Sequence, residues 1–301
     1  MEKLENNSNY PIILFVYNRL DHTKKVIKAL SKNKEFNQSP FYIFSDNSKE
    51  SKDIEAVNQV RNYIEIIGHP HKEIIHRKEN FGINRNFMEG ITQVLKIYLA
   101  VIIIDDDTIV SPFFLKFMND GLDKYKDEKK IGAICGYAPN FLRKHSEDTF
   151  FMYKGASWGW AVWERSWRDF TYQYKVYWDQ IVKKNKQDLI TYNGNLFWVK
   201  DKLSVIDIQF SMYMILNDML VLSPTRSLVN TIGSDGTGVN TPKSNNHKTK
   251  LLLEPIALED IDIIDNTNIR NKFNYYYKKK YIKHKIIVAI KRFFRISKKK
   301  E

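Results

Sequence analysis

The chain has 301 residues, 43% of them hydrophobic and 28% charged, which suits a globular protein with one large domain or two small ones. Its net charge is +13, but residues 270–301 carry 13 Lys and Arg against one acid, Glu301, and the remaining chain has 35 basic and 34 acidic side chains. A nearly neutral body does not fit a nucleic-acid reader, and a single cysteine, Cys135, excludes an internal disulfide framework and suits a reducing compartment.

Met1 to Asn9 is polar, without an apolar signal-peptide core, and no run approaches the length of a membrane span, so the catalytic part is expected in the cytoplasm. Pro11 to Tyr17 reads as a buried strand, apolar on both faces and ending at Asn18-Arg19. Asp21 can cap a helix through Val26, Ile27 and Leu30. Phe41 to Phe44 is a second strand, ending at Ser45-Asp46-Asn47. Ile54, Val57, Val60, Ile64 and Ile67 then line one helical face. Glu73 to His76 is a short third strand, ending at Lys78-Glu79-Asn80-Phe81-Gly82, and a helix follows from about Asn84 to Lys96.

The fourth strand, Val101 to Ile104, runs straight into Asp105, Asp106 and Asp107. Three adjacent anions repel one another, so the arrangement calls for a cation, and a hard divalent ion takes carboxylate oxygen while leaving room for phosphates. A solvated acidic turn is the plainer alternative. Ser111-Pro112-Phe113 reads as a helix start, with Ser111 as cap and Pro112 in the first helical position. Strands alternating with helices predict a mostly parallel sheet, whose ligand crevice lies at the carboxyl ends of the strands. Polar residues follow each of the four strands, and that concurrence marks the edge as a site. Neither G-x-G-x-x-G nor G-x-x-x-x-G-K-[ST] occurs, which disfavours NAD and P-loop chemistry.

Beyond Phe113 the character changes. Gly155 to Trp167 holds Trp158, Trp160, Trp163 and Trp167, of which at least two are expected in the core while others could offer a flat face to a sugar. Leu203 to Leu220 reads as a helix carrying Asp207, Gln209 and Asp218, followed by a short strand at Leu220–Leu222, Pro224, and the stretch Ser227 to Ile232. Gly233 to Asn240 is glycine-rich, either a plain connection or a loop able to fold over a ligand. Residues 241–269 read as a linker with an acidic segment at Glu254–Asp265. From Tyr275 to Lys300, Ile282, Ile286, Ala289, Ile290 and Phe293 share a helical face flanked by Lys279, Lys283, Lys291, Arg292 and Arg295, the pattern of a helix lying on anionic lipid.

Taken in order over most of residues 11–240, these segments resemble a GT-A-fold glycosyltransferase of the family-2-like bacterial type related to N-acetylglucosaminyltransferase I. The resemblance implies an α/β, Rossmann-like fold with a mostly parallel central sheet flanked by helices. It also implies donor contacts from Asn18 and Arg19 after the first strand, and Asp46 reading the nucleobase. Asn80 and Arg85 would stand beside the donor, Asp105 would face the ribose and donor sugar, and Asp106 would be a further donor-binding residue. Asp107 is the implied ligand of Mn²⁺ or Mg²⁺. Trp158, Gly159 and Trp160 would form part of the sugar pocket, Gly236 would belong to the ordering loop, and Asp207 would be the catalytic base. Two positions depart from the pattern: Ile206 replaces a Trp before the base, and Asp105 replaces a Glu.

The expected activity is inverting, metal-dependent transfer from a nucleotide-diphospho-sugar, a UDP-sugar by resemblance, to a hydroxyl of a glycan or lipid-linked acceptor in surface polysaccharide synthesis. The expected organisation is a catalytic domain over 1–240, a peripheral segment over 241–269 and a basic tail over 270–301 peripheral on the inner membrane face, with no nucleic-acid partner. One rival is a haloacid-dehalogenase-type phosphatase with Asp105 as nucleophile, although four βα units ahead of the motif speak against it. The other is a non-catalytic, membrane-recruited nucleotide-sugar-binding protein.

Overall fold

A computed structural model describes residues 9–155, 157–191, 202–237, 247–279 and 282. The first half is built from βα units. Strands β1 (Ile12–Val16), β2 (Phe41–Ser45), β3 (Lys72–His76) and β4 (Ala100–Asp105) pair in parallel, in the order β3-β2-β1-β4. All five residues of β1 and of β2 are buried, as expected of strands covered on both faces. Helices α1 (Leu20–Leu30), α2 (Ile54–Glu65) and α3 (Gly82–Leu95) bury Val26, Ile27 and Leu30, then Val57, Val60 and Ile64, then Phe87, Ile91 and Val94. Spacings of three and four put each set on one stripe facing the sheet. Asp21 lies in the first turn of α1 rather than at its cap, which is Arg19.

After β4 come β5 (Thr108–Val110) and α4 (Phe114–Lys124). The latter starts later than Ser111-Pro112 suggests. The Ser111 hydroxyl accepts from the Phe113 N–H and donates to the Leu252 carbonyl, tying down the turn before the helix.

The second half of the sheet is mixed. Strands β6 (Ile131–Cys135), β7 (Thr149–Met152), β8 (Trp160–Trp163) and β9 (Leu220–Pro224) extend it in the order β4-β8-β6-β9-β7. Strand β8 is inserted antiparallel between β4 and β6, with Trp160 beside Ile103 and Cys135. An antiparallel strand starts where its neighbour ends, so the stretch before Trp160 meets the edge at which β4 finishes. Short helices α5 (Glu164–Trp167), α6 (Tyr174–Lys183) and α7 (Gln187–Thr191) precede α8 (Ile206–Leu216), which buries nearly its whole circumference. Strand β10 (Val229–Thr231) pairs antiparallel with β5, setting Thr231 opposite Thr108.

The stretch expected as a linker is packed from residue 247 onward. Leu252 and Ile256 join the main core, and Lys124 Nζ donates to the carbonyls of Leu258 and Glu259. A helical stretch over 267–279 buries Ile269 and Phe273 against Leu142, Phe150 and Met152 in a second small cluster. The first residues of the expected tail thus belong to the folded body. The rest of that tail lies outside the described residues, apart from Ile282, as do Gly238 to Asn246. No described helix is long and apolar enough to cross a membrane.

Candidate active site

The acidic triplet sits where β4 leaves the sheet, and the turn after β1 brings Arg19 across to it. Arg19 Nη2 donates to Asp106 Oδ1 and, at 2.8 Å, to Asp107 Oδ2, while Nε reaches Asp106 Oδ2 at 3.4 Å. Burial works against the guanidinium charge, but Asp106 and Asp107 more than offset it and hold the group above its usual range. Burial pushes the Asp105 carboxyl well above the usual carboxylate range. Asp107 and Asp106 add to that, Arg19 opposes it, and Asp207 adds again. Asp106 is likewise raised by burial, with Arg19 opposing. Asp105 Oδ1 is buried with no hydrogen-bond partner among the described residues.

A ribbon of β5 and β10 closes over this turn. The Ile232 N–H donates to the Asp107 carbonyl at 2.8 Å, and Gly233 lies so close to the Asp107 carboxylate that any Cβ there would collide with it. Any larger residue at 233 would have to displace the Asp107 carboxylate, so glycine lets this turn approach the triplet. Next in the same turn, Asp235 pairs with His22 Nε2 at 3.2 Å, and Gly236 takes a left-handed backbone, φ 99°. Sequence reasoning missed His22.

Hard carboxylate oxygens with a buried lone-pair face suit Mn²⁺ or Mg²⁺. Among the described residues no group of three His, Cys, Asp or Glu side chains could hold a metal by itself. An ion here would need further oxygens, as Mg²⁺-type sites take from substrate phosphates.

Asp46 follows β2 and is buried. Its Oδ1 accepts from the N–H groups of Asn47 (2.9 Å) and Phe81 (2.8 Å), and its Oδ2 from Gly82 N–H (2.9 Å). These bonds fasten the start of α3 to the end of β2. Asn80 supports the same junction through Nδ2 to the Asn47 carbonyl at 2.6 Å. Asn18 is half-buried in the turn after β1. Arg85 is not brought to the carboxylates of the triplet. It is exposed on α3, pairs with Glu79 and Glu89 at 2.7 Å each, and lies 3.6 Å over the Phe81 ring. The buried arginine of this region is Arg77, held by Asn86 at 2.9 Å and stacked between Phe44 and Phe81, with Nη2 lacking a partner among the described residues.

Of the four tryptophans, three are core residues. Trp160 packs on Trp167 and Phe210, Trp163 donates to the Leu122 carbonyl, and Trp167 donates to Thr92. The face of Trp160 is thus not open to a sugar, contrary to the expectation, although its edge borders a small cavity beside Asp207. Trp158 is the half-buried one, edge-to-face with Tyr137 at 4.8 Å and 4.9 Å from the His247 ring. Gly159 turns the chain between Trp158 and β8 with a left-handed φ of 59°, and its carbonyl accepts the Gly136 N–H.

Asp207 occupies the first turn of α8, whose cap is Val205. The helix is aimed from α3: Asn84 Oδ1 accepts the Ile206 N–H at 3.1 Å, and its Nδ2 donates to the Ser204 carbonyl at 3.2 Å. Ser157 Oγ donates to Asp207 Oδ2 at 2.6 Å, while Oδ1 accepts the Ile208 N–H at 2.8 Å. The helix dipole favours a negative charge here. The cavity at Asp207 and Ser157, walled by Phe210, Met214 and Val221, holds about 30 Å³, room for one water-sized group and not for a sugar ring.

A fold with a parallel nucleotide-type half-sheet and an acidic turn at its carboxyl edge admits several families. The profile described as glycosyl transferase family 2 matches residues 12–184, more than half of the chain. The chain belongs to glycosyl transferase family 2.

No curated protein sequence matches this family 2 chain. Among solved structures it is similar to Staphylococcus aureus TarS 1–349 in complex with UDP-GlcNAc, at 12% identity and TM-score 0.47, covering 79% of this chain and 60% of that one. A second structure of TarS 1–349 gives 14% identity, TM-score 0.43 and coverage of 75% and 61%. A mannosyltransferase, PcManGT from Pyrobaculum calidifontis in complex with GDP-Man and Mn²⁺, gives 13% identity, TM-score 0.38 and coverage of 53% and 46%. The chain spans between 46% and 61% of the length of these structures, and none of the three reaches a TM-score of 0.5.

Proposed function

We propose that the chain is an inverting, divalent-metal-dependent glycosyltransferase that moves a sugar from a nucleotide-diphospho-sugar to an acceptor hydroxyl. The observation that carries the reading is geometric: in a chain of glycosyl transferase family 2, the acidic triplet at the end of β4 is bound by Arg19 and covered by the turn after β10. In this reading the triplet suits a metal, and a second carboxylate, Asp207 in the first turn of α8, serves as the base. A phosphatase of the haloacid-dehalogenase type has no use for the second.

In this scheme Asp107 would hold Mn²⁺ or Mg²⁺, and the ion would supply charge neutralisation on the diphosphate leaving group. The protein does the rest. Arg19 offsets the carboxylates, and Asp46 and Asn80 hold the crevice wall in shape. Trp158 offers an aromatic face, and the turn from Gly233 covers Asp107. Asp207 takes the proton of the attacking hydroxyl, with Ser157 fixing one of its oxygens. A UDP-sugar is the donor we favour, from the resemblance of the Asp46 and Asp105–Asp107 segments.

The acceptor we favour is a glycan or a lipid-linked sugar, because the basic residues beyond 279 have the composition of a segment lying on anionic lipid. The full chain should then sediment with anionic but not with neutral vesicles, and equal binding to both would rule out that attachment. The activity itself is tested by incubation with a panel of nucleotide sugars and Mn²⁺, reading released nucleoside diphosphate by mass spectrometry. Release from one donor, dependent on the metal, is expected; release from none would overturn the reading.

A further inference from the structure

Helix α8 carries Asp207, yet its own residues do little to fix where it begins. Nearly its whole circumference is buried among apolar side chains, and hydrophobic packing is non-directional, so the place of its first turn is left to polar bonds. Its cap residue, Val205, makes no side-chain hydrogen bond to the first amides. The bond comes instead from another helix. Asn84, in the first turn of α3, accepts the Ile206 N–H on Oδ1 at 3.1 Å and donates from Nδ2 to the Ser204 carbonyl at 3.2 Å. One carboxamide thus holds the chain on both sides of Val205. The same Nδ2 donates to the Tyr172 hydroxyl at 2.8 Å, and the Ser204 carbonyl also accepts that hydroxyl at 2.6 Å and Gln209 Nε2 at 2.9 Å. Three separate segments therefore converge on the start of α8.

What α3 is fastened to gives that contact its meaning. The N–H groups of Phe81 and Gly82 donate to Asp46 at the end of β2, at 2.8 and 2.9 Å, so the start of α3 is fixed to the wall of the crevice. Asn84 comes one turn into α3, and Asp207 directly follows the residue whose amide Asn84 holds. The crevice wall and the base are thus joined by short backbone and hydrogen bonds of printed length on every side. We propose that Asn84 is a positioning residue for Asp207, setting that carboxylate against the bound donor through the first turn of α8; this rests on Asp207 being the base. Transfer is sensitive to such placement, since a misplacement of about 1 Å can cost about 10²-fold. An apolar side chain at 84 would leave α8 in the core, held by its buried faces, and free its first turn to shift.

The test is a double-mutant cycle between Asn84→Leu and Asp207→Asn, reading kcat for transfer at saturating donor and Mn²⁺. Asn84→Leu should lower kcat by about 10-fold or more in the parent, while affinity for UDP with Mn²⁺ in calorimetry stays within about two-fold. In Asp207→Asn the same substitution should change kcat by less than about two-fold, because no base is left to misplace. A merely structural role would lower kcat by the same factor in both backgrounds, and that result overturns the proposal. A parental kcat in Asn84→Leu overturns it too, as does a loss confined to UDP affinity, which would make Asn84 part of the donor site alone. Should Asn84→Leu melt far below the parent, the cycle is run with Asn84→Ser, which fits the half-buried space without crowding it. Loss of transfer in Asp207→Asn with additive effects of Asn84 would remove the positioning role and leave the base. Parental transfer in Asp207→Asn would overturn both.

Discussion

Replacing Arg19 by Met should destabilise the protein and make its stability depend on divalent metal. The Arg19 side chain is 17% exposed and faces Asp106 and Asp107, which are 7% and 17% exposed. Methionine keeps much of the apolar stem and removes the charge. Breaking a buried ion pair from one side costs about 3–5 kcal/mol, because the partner charge is left uncompensated. Here the cost is compounded by Asp105, which burial already disfavours as an anion. At this chain length about 2 °C of melting temperature goes with each kcal/mol, so a fall of roughly 6–10 °C at neutral pH is expected. Scanning calorimetry of parent and variant, each with and without Mn²⁺, reads the effect. The metal should recover a larger part of the loss in the variant than it adds to the parent, since a cation at the triplet supplies the missing charge. A variant that melts within a degree of the parent, or one indifferent to Mn²⁺, would refute the view that Arg19 and a metal neutralise the same carboxylates.

Asp46→Ala should lower stability by about 2–4 kcal/mol by chemical denaturation, because it strips partners from the N–H groups of Asn47, Phe81 and Gly82 at once; a loss under 1 kcal/mol would mean water satisfies them. Lys154→Met should gain about 2 kcal/mol at pH 7. The folded lysine titrates near 8 against 10.5 when unfolded, so between those values the unfolded chain binds more protons and parental stability rises with pH. The gain should therefore be full below pH 8 and gone above 10.5, and a gain that does not vary with pH would contradict the burial of that charge.

The sequence made the first half of the molecule readable because its strands are apolar on both faces and each ends in polar residues. Asp105 to Asp107, Arg19 and Asp46 each stand directly after a strand, where that rule looks for them. The second half was harder to read. Trp160 to Trp163 is apolar throughout and carries no mark of direction, so its antiparallel insertion between β4 and β6 was invisible, and with it the delivery of Ser157 to Asp207. Asn84 could have been noticed only by knowing that α3 faces the start of α8. Arg77 carries no sequence signal of burial: only the packing shows it stacked between Phe44 and Phe81, while Arg85 pairs with Glu79 and Glu89 on the surface of α3. Residues 247–269, polar enough to read as a linker, are held by a few apolar anchors such as Leu252, Ile256 and Ile269.

Asp207→Asn separates catalysis from structure. Asn keeps an Oδ1 for the Ile208 N–H, and the Ser157 hydroxyl can turn to accept from the new amide, so the start of α8 loses no hydrogen bond. Val205, not Asp207, caps the helix, so melting temperature and UDP affinity should hold. The amide cannot take a proton from a hydroxyl, and transfer measured at equal donor occupancy should fall by about 10²-fold or more. Transfer that stays within a few-fold of the parent would contradict Asp207 as the base.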